Sequence, residues 1–236
     1  MEASQYAFVH GLRRTRATLA GWRANPRAIL QRWAGGALSV TALLLLAVLA
    51  VAFISPASPG SVSLSGPPFQ RGGPSDVIQI LRANGLVLAL HAMACVAGFI
   101  AGSSLPLQAG QHTGRMRALH ERGPAVAIAF VAAATLFSLS LQAYTIGRAT
   151  AQDAAALHVS PALLLVGLLP HAMPELMALF LPLAAWIQAS RRGEWERLLA
   201  ATLVTVSLAV PALVLAALWE VYGAPHLLTA MFGAHG

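Results

Sequence analysis

The sequence has very little charge. Charged residues fill 10% of its 236 positions, where an ordinary soluble domain carries about 25%. So few charges cannot cover a water-exposed surface, so lipid must cover much of this chain. Lysine is absent, and all 15 basic residues are arginine. The single cysteine, Cys95, lies inside a hydrophobic stretch. With no second thiol there is no intrachain disulfide framework, and Cys95 reads as a small apolar helix residue. Catalytic signatures are missing too. There is no GxxxxGK(S/T) and no HExxH, and no GxSxG. No segment outside the apolar stretches is large enough for a soluble catalytic domain. These absences point to a non-enzyme with no metal and no other cofactor.

What is present is hydrophobic, at 57% of the chain. A membrane span needs about 20 mainly apolar residues, because the hydrocarbon core is roughly 30 Å thick. The stretches 36–54, 85–105, 124–146 and 198–219 meet that requirement. A fifth, 160–189, is too long for one upright helix and carries Pro161, Pro170, Pro174 and Pro182. Proline removes a backbone donor and crowds the preceding turn, which predicts a break near Pro170-His171. The expected fold is all-α: a polytopic helical membrane bundle of about five transmembrane helices, the fourth broken. Residues 1–35 form a basic segment, and 36–236 form a single membrane-embedded domain. The first apolar stretch begins too late for a signal peptide. Ser55-Pro56-Ala57 is also a poor cleavage site, so that stretch reads as an uncleaved anchor.

Arginine placement orients the bundle. Arg13, Arg14, Arg16, Arg23, Arg27 and Arg32 precede the first span. Arg115, Arg117 and Arg122 fall in the 106–123 loop, and Arg191, Arg192 and Arg197 in the 190–197 loop. Five crossings put these twelve on one side and leave only Arg71, Arg82 and Arg148 on the other. The asymmetry implies a cytoplasmic N-terminus and an outer C-terminus. The net charge of +7 is therefore a topology signal, and with no binding module visible a nucleic-acid partner is not expected. The expected partners are the lipid bilayer and other membrane or cell-envelope proteins, with a homo-oligomer left open.

Leu12, Leu19, Trp22, Ile29 and Trp33 alternate with the first arginines. This suits a helix on the lipid surface, and a disordered basic tail is the alternative. The loop 55–75 is rich in Pro, Gly and Ser and should be irregular. Ser75 would then cap a short helix running into Asn84. The tail 224–236 is too short to span, and no internal repeat is apparent.

Ionisable groups at membrane depth are costly and invite a functional reading. His171 and Glu175, in LLPHAMPEL, are four apart and share a face of an ideal helix. They suit a proton relay or a ligand pair, with His91 from the second span. The structural reading is that Glu175 meets free amides where the helix restarts, while His171 bonds within the break. That reading ranks His171 above His91 in structural weight. A neutral His91 would bond to a neighbouring helix. Asn84 would cap its helix or bond across helices, and Gln142 would make a helix–helix bond. Glu220, beside Trp219 and Tyr222, would be solvated at the outer interface.

The run Leu168-Leu169-Pro170-His171-Ala172-Met173-Pro174-Glu175-Leu176 resembles the PHG-x-x-E signature of the stage II sporulation protein M family. Asn84, opening a glycine-bearing second span, is similar too, as is the motif's place in the fourth of five spans. The likeness covers roughly residues 75–220. Ala172 stands where the family has glycine, and Pro174 is an additional proline. By this resemblance His171 and Glu175 would be the signature pair. The protein would be a membrane platform that holds partner proteins in a bacterial plasma membrane. The alternative is a small permease subunit or proton-coupled carrier with a polar path through His91, Gln142, His171 and Glu175.

The orientation is testable in a Cys95→Ala background. Ser4→Cys should react with a membrane-impermeant maleimide only in opened cells, and His235→Cys in intact cells. Matching behaviour at the two termini would mean an even number of crossings.

Overall fold

The computed structural model describes residues 3–56, 72–104 and 113–232. Most of the loop expected to be irregular, 57–71 with Arg71, lies outside these residues, as do 105–112 and 233–236. The described chain is all helix. In order it contains α1 (Ala3–Ala24), α2 (Pro26–Ile54), α3 (Pro74–Phe99), α4 (Gly114–Ala156), α5 (Pro161–Arg192), α6 (Leu198–Leu218) and α7 (Ala224–Phe232). A π-helical turn, Ile100–Ser104, ends α3, and another, Trp219–Gly223, joins α6 to α7. Among the described residues, five segments are long and apolar enough to cross a membrane: Pro26–Ile54, Pro74–Gly102, Ala125–Ala156, Pro161–Arg192 and Trp195–Met231. The chain is a multi-pass helical membrane protein, as the apolar runs predict.

The helix starts follow local chemistry. Asn25 and Ser160 cap α2 and α5 by accepting from the amides of Ala28 and Leu163 at 3.4 and 3.2 Å. Each cap is followed by a proline, whose missing N–H costs nothing in the first turn. α5 stops at Gly193, whose φ of 67° is left-handed. The start of α3 departs from expectation. Its cap is Gly73 rather than Ser75, and Asp76 accepts the Gly73 amide at 2.7 Å. No separate lead-in helix forms, because nothing between Pro74 and Phe99 interrupts the hydrogen-bond ladder. Asn84 is therefore mid-helix and caps nothing.

The predicted break in the fourth span is absent, and α5 runs unbroken through Pro170, Pro174 and Pro182. The spacing explains why. In an α-helix each N–H bonds the carbonyl four residues earlier. Prolines at 170, 174 and 182 therefore remove bonds from one i, i+4 column, leaving the carbonyls of Val166, Pro170 and Ala178 without those donors. The remaining columns of the helix stay intact. Pro170 and Pro174 both lie on an exposed face.

α5 is the centre of the bundle and touches α2, α3, α4 and α6. From Ala178 to Trp186 nearly every residue is buried, with Phe180 at 0% exposure. A helix apolar all round belongs in an interior. Leu44 and Val48 of α2, Cys95 of α3, Leu198 and Leu213 of α6 complete this core. By contrast, only 6% of the apolar window of α4 is buried, so α4 is a peripheral helix. At 43 residues it is about 65 Å long, well beyond the hydrocarbon thickness. Its first turns occupy part of the expected 106–123 loop. The last span likewise runs on into α7, so 224–232 is a helical extension rather than a separate tail.

The basic N-terminal segment is helical over its described residues rather than a disordered tail. α1 lies against the ends of α3 and α6, where Gly11 meets Phe99 and Leu199. Arg14 pairs with Glu196, and Trp22 packs edge-on against Trp33 at 5.2 Å between ring centroids.

Gly147 lets α4 approach α2. A Cβ there would stand 2.6 Å from Val51 Cβ and 2.8 Å from the Val48 carbonyl oxygen, which is backbone and cannot swing away. Gly147→Ala is expected to destabilise the bundle by about 1–3 kcal/mol, read as a lower melting temperature in detergent. Gly85→Ala, with nothing within 4 Å, should leave the melting temperature unchanged or slightly raised. Equal behaviour of the two variants would refute the close α2–α4 contact.

Candidate functional site

The polar residues of the second span share one stripe. Asn84, Leu88, His91, Cys95 and Gly98 follow each other at spacings of four, three, four and three. This near-3.5 repeat keeps a seam facing a neighbouring helix. Leu88, His91, Cys95 and Gly98 are buried, and the facing helix is α5.

Three hydrogen bonds cross this seam. Asn84 Nδ2 donates to Glu175 Oε1 at 2.7 Å. His91 Nδ1 lies 3.0 Å from the Leu179 carbonyl oxygen. A carbonyl only accepts, so Nδ1 carries the proton. Cys95 Sγ donates to the Pro182 carbonyl at 3.2 Å. Residue numbers rise together on both helices, so α3 and α5 run parallel. The proline explains part of the pattern. Pro182 removes the donor for Ala178 and crowds the turn containing Leu179, and His91 bonds to the carbonyl of that turn. His91 is 2% exposed, and its ring packs at a tilt against Phe180, with centroids 5.6 Å apart.

The other expected site residues go elsewhere. Glu175 is half-buried in mid-helix and meets Asn84 instead of the free amides of a restarting helix. His171 is half-buried, and among the described residues it has no hydrogen-bond partner. With no break in α5, there is nothing of that kind for it to bond. Pro170 is exposed. Gln142 bonds within its own helix, donating to Ser138 Oγ at 3.1 Å. The helix–helix bond expected of it does not form because α4 is peripheral. Glu220 is half-buried, close enough to Glu175 for their carboxyls to interact. It is less exposed than a fully solvated carboxylate. Among the described residues, no three His, Cys, Asp or Glu side chains converge on a metal-binding position.

The sequence reading paired His171 with Glu175, whereas the structure pairs Glu175 with Asn84 across 91 residues. Cys95, apolar by its sequence context, donates to the Pro182 carbonyl. The four–three spacing was the available signal, since it places Asn84, His91 and Cys95 on one face. Chemically, the arrangement is a clamp between two helices. No protein-family model matches the chain, and no curated protein or solved structure matches it.

The seam reverses the expected order of the two histidines. His91→Ala strips a buried bond and leaves a void beside Phe180. At about 2 kcal/mol it should lower the detergent melting temperature by roughly 4–8 °C. His171→Ala should change it by less than about 2 °C. A larger effect at His171 would contradict the seam.

Proposed function

We propose that this protein is a non-catalytic multi-pass scaffold of a bacterial plasma membrane. Its N-terminus is cytoplasmic, its C-terminus is outside, and it recruits other membrane or cell-envelope proteins. One observation carries the reading: apart from His171, the intramembrane polar residues that the sequence singles out are committed to separate contacts. His91 bonds to the Leu179 carbonyl and Gln142 to Ser138. Asn84 holds Glu175. A carrier needs such groups strung along a path, and a scaffold needs them to fix helices. The largely unburied α4 offers a long helix face to partners. The resemblance of Leu168–Leu176 to the stage II sporulation protein M family supports the same reading.

A proton-coupled carrier or small permease subunit is the second reading. The observation favouring it is a pair of carboxyls: Glu175, held by Asn84, and Glu220, within electrostatic reach of Glu175.

A pull-down from native membranes in mild detergent separates the two, with Glu175→Gln alongside the unaltered chain. Glutamine keeps an oxygen that can accept from Asn84, so the variant should fold and retain a reproducible set of partners. An absence of partners, together with a proton or solute flux in vesicles that Glu175→Gln abolishes, would replace the scaffold with the carrier.

A further inference from the structure

Where α1 folds back on the bundle it borders an open cavity of about 550 Å³. The walls come from α1, α2, α5, the Glu194–Arg197 turn and the start of α6. Its polar lining includes Arg32, Arg192 and Arg197, against one carboxylate, Glu194. That carboxylate is already paired with Arg197 at 3.0 Å. Among the described residues, Arg32 and Arg192 have no carboxylate within ion-pair distance. Among the described residues, these two guanidinium groups of the cavity are therefore uncompensated. Gln188 donates to the Arg32 backbone carbonyl at 2.7 Å, which ties the base of that side chain to α5.

The rest of the lining is of another kind. Trp22, Trp33, Ile29 and Leu198 give the same cavity an aromatic and aliphatic wall. Trp33 and Leu198 are buried, at 5% and 0% exposure. Tryptophan rings favour the headgroup level of a membrane. The cavity lies where the apolar runs of α2, α5 and α6 meet the arginine-bearing segments. Planar guanidinium groups match phosphate oxygens in pairs. Basic pockets between spanning helices at a membrane face take anionic lipid headgroups. A small soluble phosphate would satisfy the arginines but leave the half-buried Trp22 and Ile29 uncovered. A phospholipid covers both.

We propose that this cavity is a binding site for the phosphate headgroup of an anionic phospholipid. Arg32 and Arg192 contact the phosphate, and the Trp22–Ile29–Trp33 wall covers the glycerol and upper acyl chain. Bound there, the lipid links α1 to the ends of α2, α5 and α6.

The test is thermal unfolding of the full chain in detergent, titrated with phosphatidylglycerol, phosphatidylcholine or inorganic phosphate. Phosphatidylglycerol should protect the chain saturably, and phosphatidylcholine and inorganic phosphate should not. Arg32→Gln with Arg192→Gln should weaken the apparent phosphatidylglycerol affinity about 30-fold. Arg23→Gln with Arg191→Gln, at the same end but off the cavity lining, should leave the affinity within about twofold. Gly21→Leu gives a charge-neutral check, because it narrows the cavity where an added Cβ meets nothing within 4 Å. It should also weaken protection. Equal loss in both arginine pairs, or equal protection by phosphatidylcholine, would overturn the site. Protection by inorganic phosphate alone would overturn the lipid as its occupant.

Discussion

The structure depends on one constraint: no water is available in the hydrocarbon core to satisfy polar groups. A hydroxyl, amide, thiol or imidazole there gains from a partner within the chain, although Thr41 Oγ1, Trp186 Nε1 and Ser190 Oγ are buried with none among the described residues. Most hydroxyls use the carbonyl one turn back. Thr205 bonds to Ala201, Thr202 to Leu198, Thr145 to Leu141 and Ser39 to Gly35, all at 2.8–2.9 Å. The prolines of α5 obey the same constraint by interrupting a single column of helix bonds. His91 and Cys95 then take carbonyls near Pro182 as acceptors, so irregularity in one helix gives its neighbour places to attach.

These bonds are individually small. Interhelical side-chain bonds in membranes average ~0.6 kcal/mol, because the separated helices also find partners. Their value lies in register. A seam of apolar residues alone tolerates sliding by a turn. Asn84, His91 and Cys95 allow one alignment of α3 against α5, and the core around Phe180 and Leu183 then packs against it. The exposed ion pairs at the other end add little. Arg14–Glu196 and Arg197–Glu194 are held in place by the apolar contacts of α1 and α6.

The architecture was legible because membrane spans are a composition signal. Runs of about 20 apolar residues and an uneven spread of arginine need no knowledge of contacts. The five spans follow from them. The proline-rich span misled because proline was weighed residue by residue. What matters is whether successive prolines cut one column of bonds or several, and 170, 174 and 182 cut one. The site was less legible. Adjacency in LLPHAMPEL suggested His171 as the partner of Glu175, but the carboxylate meets Asn84 on another helix. Backbone carbonyls are identical in every sequence, so nothing marked Leu179 or Pro182 as acceptors. Gln142 misled for another reason. A lone polar residue in an apolar helix suggests a contact, but Ser138 one turn earlier already supplied it.

The parallel pairing of α3 with α5 has a consequence for how the protein is made. The three bonds join residues 91, 88 and 87 positions apart in the chain. A ribosome adding about 5–20 residues per second delivers the second helix on the order of ten seconds after the first. During that interval Asn84, His91 and Cys95 sit in the bilayer, or at the insertion machinery, without the partners they have in the finished bundle. α4 must cross before those partners arrive. The second span is therefore a waiting helix, and its leucine and alanine content must carry its polar stripe into the membrane unaided until the fourth span docks.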